Sequence, residues 1–380
     1  MKLTDVVNRI NGNVDRFTTD LEYYIGGEHF ESNELEVTQK GILKENLGKL
    51  GFKFHFAFQD RDVIFMARNP HLRKAGMVRF AGLCSDASYI LRSKDESVLS
   101  QEYLAVMLQS NHFWDYCESH KVGSVNFANN WSSIANYEFD LPSPEFQKEV
   151  SDKVWAAYRL KKSYRQLLAA TQEMVKSQFI EMFGNPLASV QKYPLKKLGE
   201  CCELNPRRPS LELEDTDKVS FVPMPSVSEN GYLQDVIDEE YGKVKKGFTY
   251  FENNDVLFAK ITPCMENGKG AIAEGLTNNI GMGSTEFHVL RPIDGVSNPF
   301  WILTLTRLPI FRERAAKNMS GTGGQKRVPG KYLEGFMVGL PPIEEQNRFE
   351  AIYHQADKSE FELRKSIEAI DAVIKSLINS

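Results

Sequence analysis

Basic and amide side chains gather in a few loops of this 380-residue chain. In the first half they are Arg68, His71, Arg73, Lys74 and Arg79, then Lys121, Asn126, Asn129, Asn130 and Trp131. In the second half they are Arg207, Arg208, Lys243, Lys245, Lys246, Lys260 and Lys269, then Gln325, Lys326, Arg327 and Lys331. Lysine and arginine supply contacts to phosphates. Arginine, asparagine and glutamine can also pair bidentately with guanine or adenine edges. An ordinary solvated surface is the alternative for much of this set. Position lifts the group above that: the late loop of each half comes just before a Leu-Pro pair, Leu141-Pro142 and Leu340-Pro341. The candidate DNA contacts are therefore Arg68, Arg73, Lys74, Lys121, Asn126 and Asn129 in the first half. In the second they are Lys260, Lys269, Gln325, Lys326 and Arg327. The acidic runs Glu212-Leu213-Glu214-Asp215 and Asp238-Glu239-Glu240 should face away from DNA.

Motifs for covalent chemistry are missing. Ser320-Gly321-Thr322-Gly323-Gly324-Gln325-Lys326-Arg327 lacks the G-x-x-x-x-G-K-[ST] spacing of a phosphate loop, since Arg327 follows Lys326. Asn298-Pro299-Phe300-Trp301 is a poor match to the Asn-Pro-Pro-aromatic loop of amino-methyltransferases. Asn298 as a helix N-cap with Pro299 at N1 explains the same residues. The seven histidines include no H-E-x-x-H, and no carboxylate–lysine nuclease cluster stands out. No catalytic residue and no metal ligand is expected; the chain reads as a binder.

Composition agrees. A 42% hydrophobic and 26% charged chain has the balance of a soluble globular protein, and its length calls for two or more cores. No apolar run reaches the roughly 18–20 residues of a membrane span. Met1-Lys2-Leu3-Thr4-Asp5 leads into no apolar signal segment. Five cysteines without C-x-x-C spacing point to free thiols in a reducing cytoplasm. The net charge of −5 excludes a generally basic coat, so DNA contact must come from local patches.

The elements that would position these loops form a repeat. Strand patterns lie at Leu21–Ile25, Phe52–Phe58, Arg61–Phe65, Lys74–Phe80 and Ala87–Leu91, and Ser100 caps a helix. Glu145 to Phe183 is helical throughout, stopped by Gly184-Asn185-Pro186. The pattern then restarts. Asp62-Val63-Ile64-Phe65 recurs as Asp255-Val256-Leu257-Phe258, 193 residues on. Leu91-Arg92 recurs as Leu290-Arg291, Leu141-Pro142 as Leu340-Pro341 and Gln147 as Gln346, each 199 residues on.

Behind Leu340-Pro341-Pro342-Ile343-Glu344-Glu345-Gln346 runs a second long helix. Phe349, Ala356, Leu363, Ile370 and Leu377 recur every seven residues. Ile352, Ser359, Ser366 and Val373 make a row three places on, widened by Tyr353, Ile367 and Ile374. Shifted by 199, the seam falls on Val150, Ala157, Tyr164 and Thr171, with Lys153, Leu160, Leu167 and Met174 as the second row. The expected architecture is α+β: two strand-rich, mixed α/β units alternating with two long helices. The helices form an antiparallel coiled coil and the halves are related by a pseudo-twofold. The alternative is that each helix packs only on its own unit.

These residues resemble the specificity subunit of type I restriction–modification systems. The resemblance covers nearly the whole chain. It rests on the repeat, Leu340–Gln346, Phe179-Ile180-Glu181-Met182-Phe183-Gly184, the Gly-Thr-Gly-Gly-Gln loop, and Asp255-Val256-Leu257-Phe258-Ala259-Lys260. The first half departs from the pattern: Leu141-Pro142-Ser143-Pro144 lacks the double proline and double glutamate, and Gly123-Ser124-Val125-Asn126 replaces the glycine-rich loop. The resemblance implies target recognition domains at residues 1–142 and 185–340, separated by a central helix, 143–184, and followed by a C-terminal helix, 341–380. Each domain would read half of a bipartite DNA site, with the helix pair as the spacer ruler. Two modification subunits would dock on the chain, bringing S-adenosylmethionine. Restriction subunits would bring ATP with magnesium. This chain would carry no cofactor, span no membrane and work in the cytoplasm. The competing classes are a diverged DNA methyltransferase or nuclease with its own recognition domains, and a coiled-coil scaffold without a DNA role.

Overall fold

The computed structural model describes residues 1–125, 127–185, 188, 192–322 and 324–379. The chain divides into two compact units, Met1–Gln166 with Leu363–Ser380, and Leu167–Glu362. Each long helix contributes one stretch to each unit.

In unit 1 the strands are β1 (Val7–Ile10), β2 (Tyr23–Ile25), β3 (Glu36–Val37), β4 (Gly41–Ile42), β5 (Phe54–Phe58), β6 (Val63–Met66), β7 (Ala75–Val78), β8 (Gly82–Ser85) and β9 (Ser88–Ser93). They form two sheets, ordered β1-β9-β6-β7-β3 and β4-β2-β8-β5. Helices α1 (Gln101–Met107), α2 (Asn111–Ser119) and the first part of α3 (Pro144–Phe183) lie behind the first sheet. The central strand β6 is apolar at every position because both its faces are covered. Val63 and Phe65 join the helices in one core, while Ile64 and Met66 join the second sheet in another.

Unit 2 repeats this frame. Its strands are β10 (Leu195–Lys197), β11 (Cys202–Leu204), β12 (Lys218–Val222), β13 (Ile237–Glu240), β14 (Thr249–Glu252), β15 (Val256–Ala259), β16 (Gly270–Ile272), β17 (Ile280–Gly283), β18 (Phe287–Pro292) and β19 (Met337–Gly339). The sheets are β11-β18-β15-β16 and β13-β12-β17-β14, with β10 and β19 paired separately. The second sheet of each unit has one parallel pair, β2 with β8 and β12 with β17. Val63 sits opposite Leu91 and Met77, and Val256 sits opposite Leu290 and Ile272. Val256 and Phe258 face the helices; Leu257 faces the second sheet. Helices α4 (Pro299–Arg307), α5 (Pro309–Lys317) and the start of α6 (Ile343–Ile378) pack against the first sheet's core.

Two polar devices recur with the frame. Before β6 the buried Asp62 carboxylate accepts from Arg92 at 2.8 and 2.9 Å and from the Gln59 amide at 2.8 Å. Before β15 the buried Asp255 carboxylate accepts from Arg291 at 2.8 and 2.7 Å and from the Glu252 amide at 2.8 Å. These bidentate pairs explain why Asp and Arg recur alongside the apolar strands. The second device is a buried glutamine at the start of each long helix. Gln147 accepts from the Ser100 amide and donates to the carbonyls of Val98 and Pro142. Gln346 accepts from the Asn298 amide and donates to Val296 and Pro341. Ser100 and Asn298 in turn cap α1 and α4.

In unit 1 the α3 residues Val154, Trp155 and Tyr158 share a core with Ile374 of α6, and Val150, Ala157, Ile370 and Leu377 pack against it. In unit 2 Val175, Phe179 and Phe183 share a core with Phe349 and Ala356. There Gln172 donates to Glu360, while Phe179 and Phe183 stack edge-on against Phe349, so the two segments run antiparallel. The second row of the seam needs correction. Leu160, Leu167 and Met174 are 45%, 52% and 40% exposed, and Val373 of α6 is exposed too. The row lies four residues after the first, at Val154, Lys161, Leu168 and Val175 in α3, and at Tyr353, Ile367 and Ile374 in α6. Lys161 disguises it. Its ammonium is buried but paired with Glu34 at 2.8 Å and Asp371 at 2.6 Å, partners remote in sequence. Leu363 is half-buried.

Among the described residues, no helix is long and apolar enough to cross a membrane, and no cluster of His, Cys, Asp or Glu could hold a metal. All five cysteines are free thiols. Burial pushes Cys84 up to about 12 and Cys201 up to about 11, which keeps both unreactive.

Candidate nucleic-acid interface

The late loops are held in the same way in both units. In unit 1 the chain doubles back so that Val122 bridges Ala128, and Ala128 bridges Arg68 beyond β6. The Asn69 amide donates to Phe127 O at 2.8 Å and the Asn129 amide to Ala67 O at 2.8 Å. In unit 2 Ser320 bridges Arg327, and Arg327 bridges Ile261 beyond β15. The Thr262 amide donates to Lys326 O at 3.0 Å and the Val328 amide to Lys260 O at 2.9 Å. A side chain from β9 or β18 secures each loop from below. Tyr89 Oη donates to Asn129 O at 2.8 Å, and His288 Nε2 lies 2.8 Å from Val328 O. Burial pushes the His288 pKa down, keeping it neutral with Nε2–H as the donor. Asn205 then faces Nδ1 through its amide at 3.1 Å.

With the backbones matched, the side chains can be compared position by position. Unit 1 has Ala67, Ala87 and Ala128 where unit 2 has Lys260, Glu286 and Arg327. Arg327 is bidentate to Glu286 at 2.9 and 2.6 Å. These hydrogen bonds, aided by the guanidinium charge, lower the Glu286 carboxyl pKa. Lys260 is half-buried beside them, and its desolvation lowers its pKa. Glu286 escaped the sequence reading because an acidic residue is not an obvious DNA contact. The clue was its place three residues before Val289-Leu290-Arg291 in the repeat.

The other candidates fall into three groups. Arg68, Gln325 and Lys326 are exposed at the loop rims, and Lys269 is half-buried in the turn before β16. Arg73, Lys74 and Lys121 are engaged within unit 1. Arg73 donates to Asn111 at 2.8 Å, Lys74 to Gly27 O at 2.7 Å, and Lys121 pairs with Glu118 at 2.7 Å over the Phe127 ring. Asn129 is a correction: it is 1% exposed, and its side-chain amide donates to Cys117 O at 2.7 Å. At that burial the side chain cannot meet a base; its NH2 secures the loop to Cys117 O, while its Oδ1 is buried with no hydrogen-bond partner. Asn126 lies outside the described residues, as does Gly323 of the glycine-rich loop. The Asn298 side chain, read as a cap from sequence, does accept from the Phe300 amide at 2.9 Å, with Pro299 at N1.

Comparison with known proteins finds likenesses, in sequence over the second half of the chain and in fold over all of it. Residues 191–370 match the model for the type I restriction modification DNA specificity domain. The specificity subunit of the type I restriction enzyme EcoEI of Escherichia coli is 35% identical over 189 residues, covering 48% of this chain and 31% of the relative. That of EcoAI, also from Escherichia coli, is 36% identical over 190 residues, covering 48% and 32%. The match thus spans about a third of the length of either relative. Among solved structures, the type I restriction–modification system S subunit from M. genitalium has a TM-score of 0.56 at 11% identity, covering 100% of this chain and 94% of that one. A chain from a structure addressing complex assembly and conformational transition of the type I R-M system gives 0.54 at 17% identity, covering 100% and 95%. At these identities the likeness to solved structures is one of fold. Residues 191–370 are thus similar to the type I restriction modification DNA specificity domain and to the matching third of these specificity subunits.

Proposed function

We propose that this chain is the DNA sequence-specificity subunit of a type I restriction–modification complex and performs no catalysis of its own. The observation that carries the reading is one frame built twice, with its loop-anchoring bonds kept and its loop side chains exchanged. Two readers of different bases need a common scaffold and different tips. Target recognition domains at residues 1–142 and 185–340 would each read one half of a bipartite double-stranded DNA site. In the second, Lys260, Lys269, Gln325, Lys326 and Arg327 make the contacts; in the first, Arg68 and Asn126 lead, with Arg73, Lys74 and Lys121 shaping the surface. The helices at 143–184 and 341–380 set the spacing between half-sites, since two readers on a rigid strut demand a set distance and phase along the duplex. They also dock two modification subunits, which bring S-adenosylmethionine and adenine methylation. Restriction subunits add ATP, magnesium and cleavage. The complex works in the cytoplasm.

The deciding experiment is methylation mapping of plasmid DNA by the reconstituted complex, with and without this chain. A bipartite methylated site that depends on this chain supports the reading. Robust methyl transfer by the purified chain alone would sink it in favour of a diverged methyltransferase.

A further inference from the structure

Unit 2 contains a small cavity that DNA reading does not use. It lies between α4, the turns at 229–231 and 266–268, and the long-helix stretches around Val175 and Tyr353. Its volume is about 140 Å³, well below the roughly 300 Å³ at which pockets for organic ligands begin. Two guanidinium groups line it. Arg307, at the end of α4, donates to Glu229 O at 2.8 Å, and Arg312, on α5, donates to Glu266 O at 2.9 Å. Each is seated against a glycine. Gly231 and Gly268 have φ of +99° and +79°, and a Cβ at either would fall 2.5 Å from the nearest guanidinium nitrogen.

Two buried donors in this cavity lack acceptors. A guanidinium carries five N–H groups, and these two are met by backbone carbonyls and, at Arg307, by the Tyr353 hydroxyl. Arg312 Nε is buried with no hydrogen-bond partner. So is the hydroxyl of Thr304, a residue only 5% exposed that lines the same cavity. Burial lowers the pKa of both arginines. Three acids, Glu229, Asp357 and Glu360, also line the cavity. Glu229 is exposed and accepts from Asn267, Glu360 accepts from Gln172, and Asp357 is exposed on α6. Lys176 pairs with Glu173 outside.

We propose that this cavity binds a small free oxyanion of the phosphate or sulfate class, held between Arg307 and Arg312 with the Thr304 hydroxyl as a further donor. A tetrahedral dianion supplies the acceptors that the two forks and the hydroxyl lack, and it fits the volume. It would also tie α4 and the adjoining turns to the long-helix stretches of the same unit. The site stands whether or not the chain reads DNA.

The test titrates sodium phosphate into the full chain at constant ionic strength, followed by calorimetry and thermal unfolding, with chloride as the control. The expected result is one saturable site and a melting temperature that rises with phosphate and not with chloride. Arg312→Gln should weaken binding roughly tenfold or more, and Thr304→Val severalfold. If Arg312→Gln fails to fold, the wild-type titration and Thr304→Val still decide. Phosphate binding unchanged by added duplex DNA supports an enclosed free ion; displacement by DNA overturns it. Absence of saturable binding, or equal binding by wild type and both variants, also overturns it.

Discussion

Replacing Gln346 with leucine should loosen the start of α6 in unit 2 and leave unit 1 intact. Gln346 is fully buried and makes three hydrogen bonds: from the Asn298 amide at 2.9 Å, to Val296 O at 3.0 Å and to Pro341 O at 2.8 Å. Leucine keeps most of the volume and removes all three partners at once. Each orphaned buried group costs about 1 kcal/mol or more, for a total of about 3 kcal/mol. At about 1.4 kcal/mol per tenfold, the local opening equilibrium rises about a hundredfold. Hydrogen exchange followed by mass spectrometry reads this directly. Protection should fall in the peptides covering Asn298–Ile302 and Ile343–Phe349, with no change around Ser100. Gln147→Leu should give the mirror result, because Gln147 makes the same bonds to Ser100, Val98 and Pro142. The reasoning fails if Gln346→Leu changes exchange by less than twofold, or if unit 1 responds equally.

Arg327→Ala and Lys326→Ala should weaken or relax recognition of one half-site only, by roughly tenfold or more at the bases concerned; equal loss at both half-sites in methylation mapping would count against modular reading. Glu286→Gln should release Arg327 from its bidentate partner and broaden the bases accepted at that half-site, and an unchanged methylation motif would show that the pair has no part in reading. Four residues added to each long helix lengthen it by about 6 Å, close to two base pairs. The spacer in the methylated motif should change while the half-sites stay, and an unchanged gap would reject the ruler. His288 gives a pH prediction: its folded pKa is depressed, so its contribution is fully present above the unfolded value of about 6.5 and is lost as pH falls towards the folded value. Protection around Val328 should therefore drop as pH falls below about 6.5, and His288→Tyr, which copies Tyr89 of unit 1, should remove the dependence.

The sequence by itself determined what depends on short-range pattern. Apolar runs at β6 and β15, their flanking aspartates, the repeated Leu-Arg and Leu-Pro pairs and Gln147/Gln346 marked two copies of one frame. The caps at Ser100 and Asn298 and the glycine stop after Phe183 bounded helices, because capping chemistry acts within a few residues. Tertiary structure decided how side chains are used, since that depends on partners far away in the chain. Lys161 takes a place in the buried row because Glu34 and Asp371 meet its ammonium there. Asn129 had the chemistry to read adenine, but Cys117 O took its amide. Arg327 carries the charge expected of a DNA contact, and its orientation comes from Glu286, 41 residues away. The unmatched donors of Thr304 and Arg312 could be recognised only once folding had closed a cavity around them.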